Sequence, residues 1–339
     1  MSWEDVDKRP LPSQTQKQFW LEHGFVKLPA CFSREAATQF TAALWDRVGA
    51  SPTDKSTWPT GKVNMPSHNT YSVKTFAPKT WAAICEILGG EDMIADWWTN
   101  WKDSYIPNWG EPGFHADDEL NYRKLTNWHT DGDSFVHFLD SPEQALLVIP
   151  LFTDIVLKGG GTVICTDTIG LAARRLVSHA LTARGTTPHV IHNPTLTRPH
   201  TFHEVIENVG DVYILHPFML HSASKNLRRD LRIITNPPVA LKAPFKYWRE
   251  DGKYSLCEQK TLRELRRPEG LKGWAIVGKR EKIPIHRKSN VPVKERRRGD
   301  TRAMNINVTY TAHAVHDHYP HNRIHTYTYI HTSHYHLFS

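Results

Sequence analysis

Long apolar stretches are missing from this chain. The longest unbroken ones, such as ALLVI ahead of Pro150, have five residues, whereas a bilayer-spanning helix needs roughly 20. No apolar stretch follows the charged opening MSWEDVDKRP, so a secretory leader is not expected. Cysteine is scarce: Cys31, Cys85, Cys165 and Cys257 lie far apart and form no CxxC pair. That spacing suggests neither a disulfide framework nor a thiolate zinc site. A soluble, cytoplasmic protein without membrane contacts is the resulting expectation. Fixed-period repeats are absent too, which argues against a solenoid or propeller.

A strong excess of charge of one sign is missing from most of the chain. The net charge is +7, from 42 Lys and Arg against 35 Asp and Glu. Residues 263–302 alone hold 14 basic and 5 acidic residues, and residues 303–339 hold one of each. The rest is therefore slightly acidic, and nucleic-acid binding by the folded body is not expected. Residues 303–339 carry eight histidines among Thr and Tyr, with few aliphatic residues. Residues 271–339 are thus expected to be a disordered tail. Two readings of it stand side by side: a tail that sticks to metal or polyanions, or a mistranslated gene end.

Aromatic residues, by contrast, reach 11% of the 339 positions, enough apolar surface for a sizeable core. Ser13–Glu22 reads as a helix broken by Gly24, FVKLP as a strand, and Ser33 as the cap of a second helix. Asp54–His68 reads as loop and Pro78–Leu88 as a helix ended by Gly89 and Gly90. From Met93 to Val239 short β-prone runs dominate: IADWWTNWK, FVHFL, ALLVIPLFTDI, TVICTD, HVIH, FHEVIE, VYILH and LRIITN. One helix around Leu171–Leu176 interrupts them. Their density predicts a mainly β protein with flanking helices, an antiparallel barrel or sandwich. The expected organisation is a single domain over 1–270, with helical support over 1–92 and a β core over 93–240.

The sharpest local pattern is His129-Thr130-Asp131 in NWHTDGD. Residues i and i+2 of a strand point the same way, so an imidazole and a carboxylate can share one metal. Two histidines and one carboxylate leave open positions on the ion, the arrangement of non-haem Fe(II) oxygenases. A second His-x-Asp, His115-Ala116-Asp117, sits in an acidic, Gly/Pro-containing loop with Asp118 and Glu119. The third ligand must come from GDVYILHPFMLHSASKNLRRDLRIITNPP, residues 210–238. His221 and His216 both qualify, and His221 has the better reach to Arg232. An arginine there suits the far carboxylate of a dicarboxylate co-substrate, whose planar ends its fork matches. Arg228 and Arg229 read as turn charges.

WHTDGD, then about ninety residues, then HPFMLHSASKN and Arg232 together resemble the phytanoyl-CoA dioxygenase family of Fe(II)/2-oxoglutarate oxygenases. The likeness includes FWLEHGFVKLPACFSREAA at the start and Asp154 with Gly159-Gly160-Gly161, and covers about residues 14–240. Two departures stand out: Cys165-Thr166-Asp167-Thr168 replaces a Pro-Gly-Ser-His segment, and Ala223 stands where a Ser is frequent.

The resemblance implies a double-stranded β-helix, a cupin-like jelly-roll barrel. It implies Fe(II) on His129, Asp131 and His221, and 2-oxoglutarate held by Arg232 with Thr130 beside it. Dioxygen would be the oxidant and a small molecule the substrate. The reaction would oxidise an unactivated C–H bond by hydroxylation, desaturation or cyclisation, as in secondary metabolism. Trp98, Asn100, Asp133, Phe135 and His137 are candidates to line a substrate pocket; core packing is the competing reading for the Trp97–Trp109 aromatics. Two other classes compete: a metal-binding cupin-like protein with different or no catalysis, and a binding module using the basic tail.

Overall fold

The structure, a computed structural model, describes residues 13–132, 135–180, 201–276 and 280. Its helices are α1 (Gln14–His23), α2 (Arg34–Thr41), α3 (Leu44–Val48), α4 (Val73–Phe76), α5 (Pro78–Leu88), α6 (Ile169–Ala180) and α7 (Leu256–Glu264). Its strands are β1 (Phe25–Leu28), β2 (Thr70–Ser72), β3 (Asn100–Lys102), β4 (Ile106–Asn108), β5 (Leu146–Pro150) and β6 (Thr162–Cys165). They continue with β7 (Phe202–Glu204), β8 (Val212–Leu215), β9 (Leu220–Ala223), β10 (Arg232–Ile234) and β11 (Pro238–Val239).

The larger sheet has the order β1-β8-β5-β11, and a smaller one the order β7-β6-β9; every pairing is antiparallel. Two ribbons complete the set, β10 with β4 and β2 with β3. Leu151 bridges to Ile234, which carries the β5 strand over to β10. β5 and β8 are buried at every position, so they read as continuous apolar runs.

Helices cover this sheet. Ser13 and Gln16 form a reciprocal capping box that starts α1, and Gly24, in the left-handed conformation, ends it. α1 leads directly into β1 and packs on α7. There Trp20 donates through Nε1 to the Leu256 carbonyl, and Lys260 donates to the Glu22 carbonyl. Much of the aromatic content gathers in one cluster: Phe32, Phe40, Tyr71, Phe76, Trp101, Tyr105 and Phe152 meet ring to ring. Trp101, Tyr105 and Trp109 are fully buried, and Trp97 alone of this run faces solvent.

Three expected strands differ. IADWWTNWK contributes only Asn100–Lys102, because Asp96–Trp98 closes into a single tight helical turn. Phe135–Leu139 of FVHFL forms no strand; Ser141 caps it by accepting from the Phe138 N–H, and it runs into a turn. HVIH lies outside the described residues. At the other end Leu271 and Trp274 pack back on the body: the Leu271 N–H bonds the Tyr247 carbonyl, and the Trp274 ring meets Tyr247 edge-on. Of the expected tail, only residues 271–276 and Arg280 are described. Among the described residues, no helix is long and apolar enough to cross a membrane.

Candidate metal centre

β9 and the segment before Asp131 build the centre together. The His129 N–H donates to the His221 carbonyl and the His221 N–H donates back to the His129 carbonyl, at 3.0 and 2.9 Å. That reciprocal pair places the two side chains on one face, with ring centroids 4.4 Å apart. His129 belongs to a lone bridge, not to a strand. The expectation that strand alternation aligns His129 with Asp131 is therefore corrected. The chain bends after Thr130, and Gly132 takes φ +123°, a conformation that side-chain-bearing residues rarely adopt. A Cβ there would stand 2.3 Å from His137 Nε2.

The bend brings Asp131 Oδ1 to 3.3 Å from His129 Nε2 and 3.6 Å from His221 Nε2. Ligand atoms of all three residues lie within 4.8 Å of one another. Each imidazole is turned the same way. His129 Nδ1 stands 2.7 Å from the Asn127 carbonyl, and His221 Nδ1 stands 3.2 Å from the Met219 carbonyl. A carbonyl only accepts, so Nδ1 carries the proton and Nε2 keeps its lone pair for an ion. The other Asp131 oxygen, Oδ2, accepts from the Asn236 amide at 3.0 Å. Burial alone would raise the Asp131 carboxyl pKa. His221 and His129 outweigh it and hold the carboxyl well below the usual range. Burial opposes protonation of His129, but Asp131 overcomes it and raises the imidazole pKa.

Arg232 on β10 is 1% exposed. Its Nε donates to the Gly160 carbonyl at 2.8 Å and its Nη1 to the Ile106 carbonyl at 3.0 Å. No acidic side chain among the described residues pairs with it. Burial lowers its pKa from 12.5 to about 10. Gly160, at φ +81°, lets that loop pass so close that a Cβ would meet Asn108 Nδ2 at 2.6 Å.

The other candidates fall in different places. Thr130 is buried between the two residues of the His-x-Asp pair. Phe135 and His137 are buried with rings 4.4 Å apart, and His137 Nε2 lies 3.1 Å from the Gly132 carbonyl. Asp133 lies outside the described residues. Trp98 stacks on Trp81 at 6.5 Å and is committed to the core, whereas Asn100 faces solvent on β3. The two share no strand face, because Trp98 belongs to the helical turn and Asn100 to β3. His216 is fully buried away from the triad, with Nε2 2.9 Å from Thr261 Oγ1 and Nδ1 accepting from the Phe218 N–H. Burial, reinforced by Lys260, pushes its pKa down to about 3. Arg228 pairs with Asp230 at the surface and Arg229 Nη2 reaches the Lys55 carbonyl. Asp118 caps its own loop by accepting from the His115 N–H.

Two further residues carried no sequence signal. Asn236 holds Asp131 from four positions beyond Arg232. Lys62 lies in the 54–68 loop, where it bridges to Asn108, itself opposite Arg232. Partial desolvation lowers the Lys62 pKa; Arg232 lowers it further and Asp131 works the other way. The residue is exposed.

No protein-family model matches the chain, and no curated protein does. Solved structures do resemble it. A complex of the epimerase SnoN with Fe3+, alpha ketoglutarate and nogalamycin RO aligns at TM-score 0.40 and 14% identity, covering 80% of this chain and 94% of that one. HygX from Streptomyces hygroscopicus, with nickel and 2-oxoglutarate bound, gives 0.39 and 13% over 70% and 90%. The non-heme alpha ketoglutarate dependent carbocyclase SnoK from nogalamycin biosynthesis gives 0.36 and 16% over 68% and 83%. Likeness at this level says nothing of this chain's chemistry, which its own side chains must argue.

Proposed function

We propose that the protein is an Fe(II)- and 2-oxoglutarate-dependent oxygenase that oxidises a C–H bond of a small molecule. The observation that carries this reading is the convergence of His129, Asp131 and His221 with both Nδ1 atoms tied to carbonyls. Two neutral imidazole nitrogens and one carboxylate oxygen form the donor set of a non-haem iron site with open positions. Bonds of about 2.1 Å put neighbouring ligand atoms about 3 Å apart, near the separations found here. The residues present therefore fit a divalent ion.

The connectivity supports the fold that goes with this reading. The chain runs from β5 in one sheet to β6 and β7 in the other, back to β8, across to β9, and on to β10. Such alternation between two sheets supports the winding of a double-stranded β-helix.

The bound ion would supply activation of dioxygen at the expense of the 2-oxo acid. The protein's own residues do the rest. Asn236 keeps one Asp131 oxygen occupied, leaving the other beside the two imidazole Nε2 atoms, where it would help to hold the ion. Arg232 waits inside the fold as a fixed cation with no acidic partner among the described residues, suited to the far carboxylate of 2-oxoglutarate. Thr130, buried beside the ligands, flanks the co-substrate in this reading.

Anaerobic titration of the protein with Fe(II) and then 2-oxoglutarate tests the proposal. A weak visible charge-transfer band should appear and should be lost in His129→Ala. A well-folded protein that shows no band refutes it.

A further inference from the structure

Lys62, Asn108 and Arg232 stand in register across three neighbouring segments. Residues directly opposite one another in antiparallel pairs project from the same face. The backbone bonds flanking Lys62 run Val63 N–H to Pro107 O at 3.1 Å and Trp109 N–H to Gly61 O at 3.0 Å. This is the narrow type of pair, in which side chains approach most closely. Lys62 and Arg232 thus rise from one face, two cations separated by the neutral Asn108. The Lys62 ammonium is electrostatically coupled to Arg232, to the Asp131 carboxylate and to His129. It makes no hydrogen bond and no ion pair with any described residue.

We propose that Lys62 is the docking cation for an acidic group, a carboxylate, on the substrate that is oxidised. The assignment rests on the oxygenase reading above and adds the substrate's chemical class. The charges of the loaded site carry the argument. A divalent ion and doubly charged 2-oxoglutarate cancel, and Asp131 and Arg232 cancel. Both imidazoles stay neutral as ligands. Among these groups Lys62 is left over, exposed at the one place where the row of side chains reaches solvent. A cation so placed favours one more negative charge entering from outside, next to the ion. Arg232, buried at the inner end of the same row, is already matched to the co-substrate. The two cations therefore serve different anions, one deep and one at the mouth.

The experiment uses the full chain loaded anaerobically with Fe(II) and 2-oxoglutarate. The probes are a panel of aromatic and alicyclic carboxylic acids, each offered also as its methyl ester. Binding is read as a shift of the visible band, and turnover as succinate released after oxygen is admitted. Acids should shift the band and their esters should not. Lys62→Met should weaken the response to acids by about tenfold, and Lys62→Arg should keep it. The affinity of Lys62→Met for 2-oxoglutarate should stay within about threefold of the parent, and its circular dichroism should be unchanged. Esters as effective as acids overturn the assignment, and so does a panel in which no acid shifts the band. A loss of 2-oxoglutarate affinity in Lys62→Met as large as that of Arg232→Met also overturns it, giving Lys62 to the co-substrate. A parent protein that forms no band fails earlier and refutes the oxygenase reading itself.

Discussion

Replacing Arg232 with methionine separates the two jobs this residue could do. The side chain is 1% exposed, and among the described residues its only hydrogen bonds run to the carbonyls of Gly160 and Ile106. Burial lowers its pKa from 12.5 to about 10, which sets roughly 3 kcal/mol against the charged form. Two hydrogen bonds from a charged donor return roughly 1.5–3 kcal/mol each. In the ligand-free protein these effects nearly cancel, so Arg232→Met should cost about 0–3 kcal/mol in urea unfolding. Binding should respond very differently. Removing one partner of a buried, hydrogen-bonded charge pair costs about 2–5 kcal/mol. The Kd for 2-oxoglutarate should therefore rise by about thirtyfold to several thousandfold. The metal ligands are untouched, so Fe(II) or Mn(II) affinity without co-substrate should stay near the parent value. The assay is anaerobic spectral titration beside chemical unfolding of the metal-free protein. Parent-like 2-oxoglutarate affinity combined with a large stability loss would reduce Arg232 to a structural tie and refute the reasoning.

Removing the Asn236 amide as Asn236→Ala frees Asp131 Oδ2 and should weaken metal binding about 10- to 100-fold, read by competition with a coloured chelator. His221→Ala should abolish tight metal binding, while His216→Asn should retain it; the opposite pattern in equilibrium dialysis would exchange their roles. His216 also sets a pH dependence. Its folded pKa of about 3 lies below the unfolded value of 6.5, so below pH 6.5 the unfolded chain takes up a proton that the folded one does not. Its contribution is complete above pH 6.5 and is lost as pH falls towards 3, about 2 kcal/mol of it by pH 5. Urea unfolding of the parent at pH 7 and pH 5, compared with His216→Asn, should show that difference. Gly132→Ala should lose metal affinity through strain at φ +123° and the clash with His137, whereas Gly252→Ala, with open space around it, should not.

Local signals were legible wherever neighbours in sequence decide the conformation. The helix beginning at Ser13, the Gly24 stop, the Ser33 cap and the Pro78–Leu88 helix all follow from side chains within four residues of the backbone they serve. Strand limits were less legible. β-prone residues at Asp96–Trp98 enter a helical turn because Trp98 is drawn against Trp81. FVHFL is apolar because it is buried, and burial does not require pairing.

The chain order of histidine, aspartate, histidine and arginine, with spacings a barrel can close, stood in the sequence by itself. So did the absence of any cysteine pair or long apolar run. Their chemical types limit what ion and what anion could be held. Spacing to Arg232 favoured His221 over His216, and the tertiary structure placed His221 beside Asp131. Alternation on β8 and β9 cannot settle that choice, because the turn between those strands sets which way each imidazole faces. The tertiary structure alone brought Lys62 and Asn236 to the same place, through backbone pairings that span tens to well over a hundred residues. Such long-range register depends on the packing of the whole fold, and no short stretch of sequence encodes it.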